Sequence, residues 1–261
     1  MKKQLIFIVF LLVGSAVCAQ KSSVKIQIGY GIPLAGTVVG SNTKQNGTGS
    51  TSSNITGSLG SGLSLETGYS YSFTPLISTQ VDFNYLMSKE YSSKNDYSNN
   101  YYSEGSTSAK FYQVAPLVRF DLGDGKIHPY AAIGPVFSFG TMKDHYFEEY
   151  DGSIEEDTKY SGSVAVGGKT VLGLEFTQGK FGYFVQATMI NMSYAPTKSE
   201  ITKYVYNGQD QLSQMTKYGR YTEYKNSVEQ GSIDPGKPRQ ALKNYYPLSS
   251  FALSVGARFK F

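Results

Sequence analysis

The chain has one cysteine and no tryptophan among its 261 residues. The cysteine, Cys18, falls within a predicted N-terminal export signal, so we expect the mature chain to have none. That excludes a disulfide framework, a cysteine metal site and a thiol nucleophile. The formal net charge is +4 and falls to +2 when Lys2 and Lys3 are removed with the signal. So small an excess does not indicate a nucleic acid partner.

Long apolar runs are also missing. After the first 19 residues, no uninterrupted apolar stretch approaches the roughly 18 residues that a transmembrane helix needs. A chain of this kind can cross a membrane only with strands. Apart from the transmembrane helix, a closed β-barrel is the structure that satisfies every backbone polar group in hydrocarbon.

The N-terminus has the pattern of a secretory signal. Lys2 and Lys3 form a positive region, and residues 5–13 form an apolar region too short to span a bilayer. Val17-Cys18-Ala19 places small residues where a signal peptidase cleaves, which predicts Gln20 as the mature N-terminus.

A lipoprotein signal with an acylated Cys18 is the alternative, but Val17 and Ser15 fit that pattern poorly. We therefore expect residues 1–19 to be a cleaved signal peptide, removed after export to the periplasm. Residues 20–261 are then long enough for one large β domain.

Apolar residues alternate with small or polar residues in eight segments of the chain. This period of two predicts strands with one apolar face. The fold class that we expect is all-β, an eight-stranded antiparallel transmembrane β-barrel with long extracellular loops and short periplasmic turns. The segments cover residues 24–32, 59–71, 77–87, 112–122, 127–139, 164–176, 181–189 and 251–261.

The last segment has an apolar face that ends on an aromatic residue. We interpret that face as the C-terminal signal that the barrel assembly machinery recognises. In the membrane, we expect the same face to contact the lipid of the outer membrane. The residues of the assembly signal are Phe251, Leu253, Val255, Phe259 and Phe261.

The connections alternate in length, which is typical of outer-membrane barrels. Three of the long loops contain Asn-Gly or Asp-Gly, which suit tight hairpins, so we expect some strands to continue above the membrane. For residues 36–57, disorder is an equally good interpretation. The short connections are Ser72–Pro75, Asp121–Lys126 and Thr177–Lys180; the long ones are Gly36–Gly57, Ser88–Lys110, Thr141–Ser163 and Tyr194–Tyr245.

The third long loop is acidic and the fourth is basic. The two could lean together over the barrel mouth. Because exposed ion pairs contribute little, we expect two separate, solvated loops instead.

The stretches Gln113–Phe120 and His128–Pro135, joined by a short turn, resemble the central hairpin of a known family. It is the family of small outer-membrane β-barrels described as porin-family or outer membrane protein β-barrel domain, similar in architecture to OmpA and OmpX. The resemblance implies an eight-stranded barrel integral to the outer membrane, with no shared catalytic residues. Pro116 and Pro135 fall roughly opposite each other, so we expect a bulge or a widened ladder there.

The other face of the alternation predicts a charged lumen. Glu66 and Asp82 should lie nearly opposite each other, with Arg119 as their partner. An ionic plug and a cation or proton path are both consistent with this set, and a narrow eight-stranded barrel favours the plug. The predicted lumen charges are Glu66, Asp82, Arg119, Lys169, Glu175 and Arg258.

The sequence favours a non-enzymatic surface protein, without cofactor or metal, whose loops contact a surface protein or a glycan. A narrow channel for small solutes is the first alternative. A lipid-modifying enzyme is the second, with His145 near Ser138, Asp144 and Glu148 as an unspecific constellation.

Overall fold

The computed structural model describes residues 22–34, 37–46, 49–97, 101–123, 125–228 and 233–261. The predicted signal peptide, residues 1–19, lies outside the described residues. Within the described ranges, no helix is long and apolar enough to cross a membrane.

Strands dominate the described residues, with one 3-10 turn at Leu212–Gln214 and one short helix, α1, at Lys217–Arg220. The strands are β1 (Ser22–Pro33), β2 (Thr37–Asn46), β3 (Gly49–Gly57), β4 (Gly62–Ser72), β5 (Ile77–Ser88), β6 (Tyr91–Tyr97), β7 (Tyr101–Asp121), β8 (Ile127–Glu149), β9 (Ser153–Ser161), β10 (Val164–Gln178), β11 (Phe181–Asn191), β12 (Ser193–Tyr194), β13 (Lys198–Tyr206), β14 (Gln209–Asp210), β15 (Tyr221–Lys225), β16 (Arg239–Leu242), β17 (Tyr246–Pro247) and β18 (Ser250–Lys260).

Eight of these strands close into an antiparallel barrel in the order β1-β4-β5-β7-β8-β10-β11-β18. The last strand closes it, because Phe259 of β18 pairs with Val24 of β1 on one side and with Phe181 of β11 on the other. These eight strands are the eight segments predicted from the alternation, so the predicted fold class is confirmed.

The two faces of the barrel have opposite chemistry. On β1, Ile26 and Ile28 point outward and are 59% and 50% exposed, while Lys25 and Gln27 point inward and are 1% and 5% exposed. The same alternation of exposed apolar and buried polar residues recurs around the barrel. An apolar exterior around a polar interior, with a closed backbone ladder, is the arrangement that a hydrocarbon environment requires.

The predicted C-terminal signal lies on this exterior. Phe251, Leu253, Val255, Phe259 and Phe261 are all at least a third exposed. Their position on the outer face is what recognition in a membrane would need, and recognition by the assembly machinery stays a prediction.

The two ends of the barrel differ. At one end, short turns join β4 to β5, β7 to β8 and β10 to β11. At the other end, β7 and β8, with 21 and 23 residues, continue beyond the barrel as one long hairpin pair. We call the first the short-turn end and the second the long-loop end.

The barrel sheet continues above the barrel on the extensions of β7 and β8. We name this continuation the outer sheet; its strand order is β3-β2-β6-β7-β8-β9-β13-β15-β16. The hairpin of β13 and β14 turns at Asn207-Gly208, where both residues have positive φ, 48° and 76°. This is the backbone that a type I′ turn needs. Strands therefore do continue past the barrel as predicted, and the first long loop contributes the hairpin β2–β3.

The third and fourth long loops pair in this sheet. Strand β9 hydrogen-bonds to β13 along most of its length, and Lys203 Nζ lies 2.5 Å from Glu155 Oε1. The expectation of two separate loops was wrong. The backbone ladder supplies the attraction that isolated surface ion pairs do not.

An apolar cap fills the barrel at the long-loop end. Leu59 lies before β4, Tyr194 ends β12 and Leu248 follows β17, and all three side chains are buried there. The ring of Tyr194 packs edge-on against Phe111, with centroids 4.9 Å apart. Backbone hydrogen bonds from Leu59 to Pro247 and from Leu248 to Met192 hold the cap in place.

The ladder between β7 and β8 opens at the two prolines. Pairing stops at Val114–Phe137 and resumes in the same register at Val118–Ile133, with Pro116 opposite Pro135. The predicted irregularity is therefore a widened ladder, since the register does not shift. Gly134 leaves no room for a side chain at this point of the ladder, because a Cβ there would lie 2.1 Å from the Pro116 carbonyl oxygen.

We expect Gly134→Ala to destabilise the barrel by about 1–3 kcal/mol, because the added methyl meets backbone that cannot move aside. Gly168→Ala on the neighbouring β10 is the matched control, since a Cβ there has nothing within 4 Å. The measurement is urea unfolding of the refolded protein, followed by far-UV circular dichroism. Equal midpoints for the two variants would contradict the steric argument.

Candidate functional site

A ring of four charged side chains crosses the lumen. Lys25 Nζ lies 2.8 Å from Glu66 Oε1 and 3.0 Å from Asp82 Oδ1. Lys169 Nζ lies 2.7 Å from Glu66 Oε2 and 2.8 Å from Asp82 Oδ2. Each lysine thus bridges both carboxylates, and each carboxylate contacts both lysines. We call these four residues the mid-lumen ring.

The strand register places the ring. Glu66 pairs with Asn84 and Gly68 pairs with Asp82, so the two carboxylates are offset along β4 and β5 and not directly opposed as predicted. Gly68 leaves the space for the ring: a Cβ there would lie 2.5 Å from Asp82 Oδ1 and 2.8 Å from Lys25 Cε. Lys169 reaches the carboxylates from β10, across the lumen.

Burial makes the mutual pairing necessary. All four side chains of the ring are at most 5% exposed. Removing charges from water costs several kcal/mol for each ion, and good geometry with full pairing offsets that cost. Two positive and two negative groups, each with two partners, meet that condition.

A second group of charges lies closer to the short-turn end. Arg119 Nη2 is 2.5 Å from Asp121 Oδ1 and 2.8 Å from Glu175 Oε2. Glu175 also lies 3.2 Å from Arg258 Nε and 2.9 Å from Lys260 Nζ. The Arg119 guanidinium stacks on the ring of Tyr130, 3.8 Å from its centroid. We call this group the arginine cluster.

The structure places all six predicted lumen charges inside the barrel, in two groups. Arg119 does not serve Glu66 and Asp82 as predicted, because it lies with Glu175 in the arginine cluster. The lysines of the mid-lumen ring take that role. Sequence reasoning missed Lys25, although it stands between two outward residues of the first strand and the alternation alone assigns it to the lumen.

Little space is left between the ring and the apolar cap. The cavity beside Glu66, Asn84 and Gln113 measures about 20 Å³, which is room for one water molecule. Below the arginine cluster, a larger polar cavity of about 330 Å³ lies at the short-turn end.

His145, the histidine of the enzyme alternative, lies in the outer sheet. Its Nδ1 is 2.6 Å from Asp157 Oδ1, and both side chains are more than a third exposed. Ser106 pairs with His145 across β7 and β8, whereas Ser138 is buried inside the barrel. The carboxylate partner is thus Asp157, on a strand that the sequence did not associate with His145. Among the described residues, no three or more His, Cys, Asp or Glu side chains group to hold a metal ion.

The fold and its lumen define an eight-stranded transmembrane β-barrel of the outer-membrane type, similar in architecture to OmpA and OmpX. No protein-family model matches the chain, and neither does any curated protein sequence.

Solved structures similar to the chain include three outer-membrane or surface proteins. Neisserial surface protein A is 13% identical, with a TM-score of 0.40, covering 92% of this chain and 97% of its own. OprG from Pseudomonas aeruginosa is 10% identical, with a TM-score of 0.43, covering 92% and 96%. Ail of Yersinia pestis is 13% identical, with a TM-score of 0.34, covering 92% and 99%. At these values the three structures carry no information on what this chain does.

We expect Lys169→Met to destabilise the barrel by about 3–5 kcal/mol, because it leaves two buried carboxylates with Lys25 as their one cation. Lys143→Met on the exposed face of the outer sheet is the control and should be near neutral. The measurement is urea unfolding of the refolded protein.

The double variant Lys169→Met with Glu66→Gln separates charge from packing. If the uncompensated carboxylate causes the loss, neutralising it should recover part of the stability. Identical stability of the single and double variants would show that the lost lysine packing, and not charge, is responsible.

Proposed function

We propose that this chain is an integral outer-membrane protein without catalytic activity, and that the outer sheet is its interaction surface. The observation that carries the proposal is the continuity of β7 and β8, which run without interruption from the barrel into the outer sheet. A surface built on two membrane-anchored strands is held rigidly above the bilayer, which lowers the entropy lost on binding.

Side-chain contacts between neighbouring elements add to the backbone ladder of the outer sheet. Lys94 on β6 pairs with Glu104 on β7 at 3.2 Å, and Arg220 pairs with Glu200 at 2.8 Å. The Tyr102 hydroxyl donates to Glu104 at 2.6 Å. This hydrogen bond, with Lys94, lowers the pKa of the Glu104 carboxyl below its usual value.

Tyrosine gives the outer sheet its contact surface. Tyr97, Tyr101 and Tyr150 form a chain of ring contacts at 5.3 and 6.0 Å. Tyr150 and Tyr206, near the tips of two hairpins, are 60% and 44% exposed. Tyrosine offers rigid, amphipathic contact area at a low entropy cost, which suits a protein or glycan partner.

The contents of the lumen support a barrel that does not conduct. The mid-lumen ring, the arginine cluster and the apolar cap follow one another along its length. To open a conducting path, the charged side chains would have to break their ion pairs. Inside the barrel they would find no other partners among the described residues. The lumen is therefore assigned to structure, and the remaining partners are outer-membrane lipid and the assembly machinery.

The interaction proposal predicts that the protein, reconstituted in vesicles, binds a surface through its exposed tyrosines. A panel of immobilised extracellular-matrix proteins and glycans is tested with the unmodified chain and with Tyr150→Ser and Tyr206→Ser together. The double variant should lose at least about tenfold in affinity, as expected for two aromatic contacts. Tyr30→Ser, on the lipid-facing side of β1, is the control. Equal binding by all three proteins would contradict the proposal.

Single-channel recording tests the sealed lumen. The refolded protein in a planar bilayer should give no discrete openings, because the ring blocks the lumen. Openings that change in Asp82→Asn would support the channel alternative. Altered lipids in cells that produce the protein, restored to normal by His145→Ala, would support the enzyme alternative.

A further inference from the structure

The cavity of about 330 Å³ at the short-turn end has a strongly basic lining. Arg119, Lys126, Arg258 and Lys260 contribute four positive charges to its walls, with His128 beside them. Asp121 is the one acidic residue among the described residues that line it. The short-turn end therefore holds a polar cavity whose described charges do not balance.

Glu175 does not remove the imbalance. It lies behind the arginines, fully buried, and is shared by Arg119, Arg258 and Lys260. Counting it with Asp121 leaves two positive charges in excess over the described residues. Asp124, which follows β7 in the sequence, lies outside the described residues.

Two buried guanidinium groups line the cavity, and one of them has a donor without an acceptor. Arg119 and Arg258 are 2% and 4% exposed, and both line the cavity. Arg119 Nη1 makes no hydrogen bond to the described residues, whereas Arg258 Nε lies 3.2 Å from Glu175 Oε2. A buried donor without an acceptor costs about 1–3 kcal/mol, and more when it is charged, so the site is incomplete without a further acceptor.

Hydroxyl groups complete the lining. Ser23 accepts a hydrogen bond from Arg258 Nη1 at 3.0 Å, which leaves its own proton available for donation. Thr177 and Ser78 lie in the same wall. Arginine forks together with hydroxyl donors are the groups that proteins use to bind phosphate and related oxyanions.

We propose that this cavity is a binding site for a small oxyanion of the phosphate class. The low-dielectric barrel wall concentrates the positive potential at the mouth, which attracts anions from solution. A phosphate group can reach the site from two sources: a free phosphate or phosphomonoester, or the headgroup of a surrounding phospholipid.

The first experiment titrates inorganic phosphate into the protein refolded in a glycoside detergent, which contains no phosphate. The readout is the ¹⁵N–¹H signal of the arginine Nε groups, with Arg258→Lys used to assign the Arg258 signal. We expect saturable shifts of the Arg119 and Arg258 signals with phosphate, and none with chloride at equal ionic strength. No saturable shift would overturn the proposal.

Matched variants locate the site. Lys126→Gln should weaken phosphate binding about fivefold, as expected for the loss of one partly screened charge. Lys44→Gln, on exposed β2 at the other end of the molecule, should leave it unchanged. Equal weakening by both variants would show non-specific attraction and overturn the proposal.

Asp124→Asn tests whether the chain itself fills the cavity. Under the proposal, the unmodified protein binds phosphate and Asp124→Asn binds it at least as tightly. If phosphate binds to Asp124→Asn but not to the unmodified protein, the Asp124 carboxylate occupies the site, and the proposal is wrong.

Two lipid environments distinguish the sources of phosphate. The protein is placed in nanodiscs of phosphatidylglycerol or of digalactosyldiacylglycerol, which has no phosphate. A lipid headgroup in the site shifts the arginine signals in phosphatidylglycerol before any phosphate is added. A site for free phosphate shows the shift only on titration, in both lipids.

Discussion

Closure of the backbone ladder is the constraint on which the rest of this structure depends. In hydrocarbon each unpaired N–H or C=O costs several kcal/mol, so β18 must pair with both β1 and β11. Closing only eight strands makes a narrow lumen that side chains fill. Inward positions are then occupied either by apolar residues that pack or by polar residues that have a hydrogen-bond or ion-pair partner. The mid-lumen ring and the apolar cap are these two solutions, at different depths of one barrel.

The architecture was predictable because one rule, the period of two, governs every spanning strand. It predicted the eight strands and, apart from Lys25, the charges of the mid-lumen ring. The partners within the lumen were not predictable. Lys169 meets Glu66 and Asp82 across the barrel, from a strand that is adjacent to neither β4 nor β5. Such a contact depends on the tilt and stagger of the whole barrel, which sequence alternation does not contain.

The outer sheet shows a related limit. Charge composition described the third and fourth loops correctly, yet the conclusion that they stay apart was wrong. Exposed ion pairs are weak, but the pairing of β9 with β13 adds a ladder of backbone hydrogen bonds that no inventory of charges reveals. Turn residues were the better guide, since Asn207 and Gly208 form the hairpin that the sequence predicted.

The same eight strands end in an apolar cap on one side of the barrel and in a polar cavity on the other. At the long-loop end, apolar residues from distant loops exclude water, and β7 and β8 carry the outer sheet away from the membrane. At the short-turn end, no loop is long enough to supply a cap, so the lumen opens into a polar cavity. The buried arginine cluster lines this cavity, with Arg119 and Arg258 paired to Glu175. Because the mid-lumen ring lies between these regions with all its own charges paired, an event at one mouth need not disturb the other. The barrel thereby separates the outer sheet at one end from a polar, basic cavity at the other.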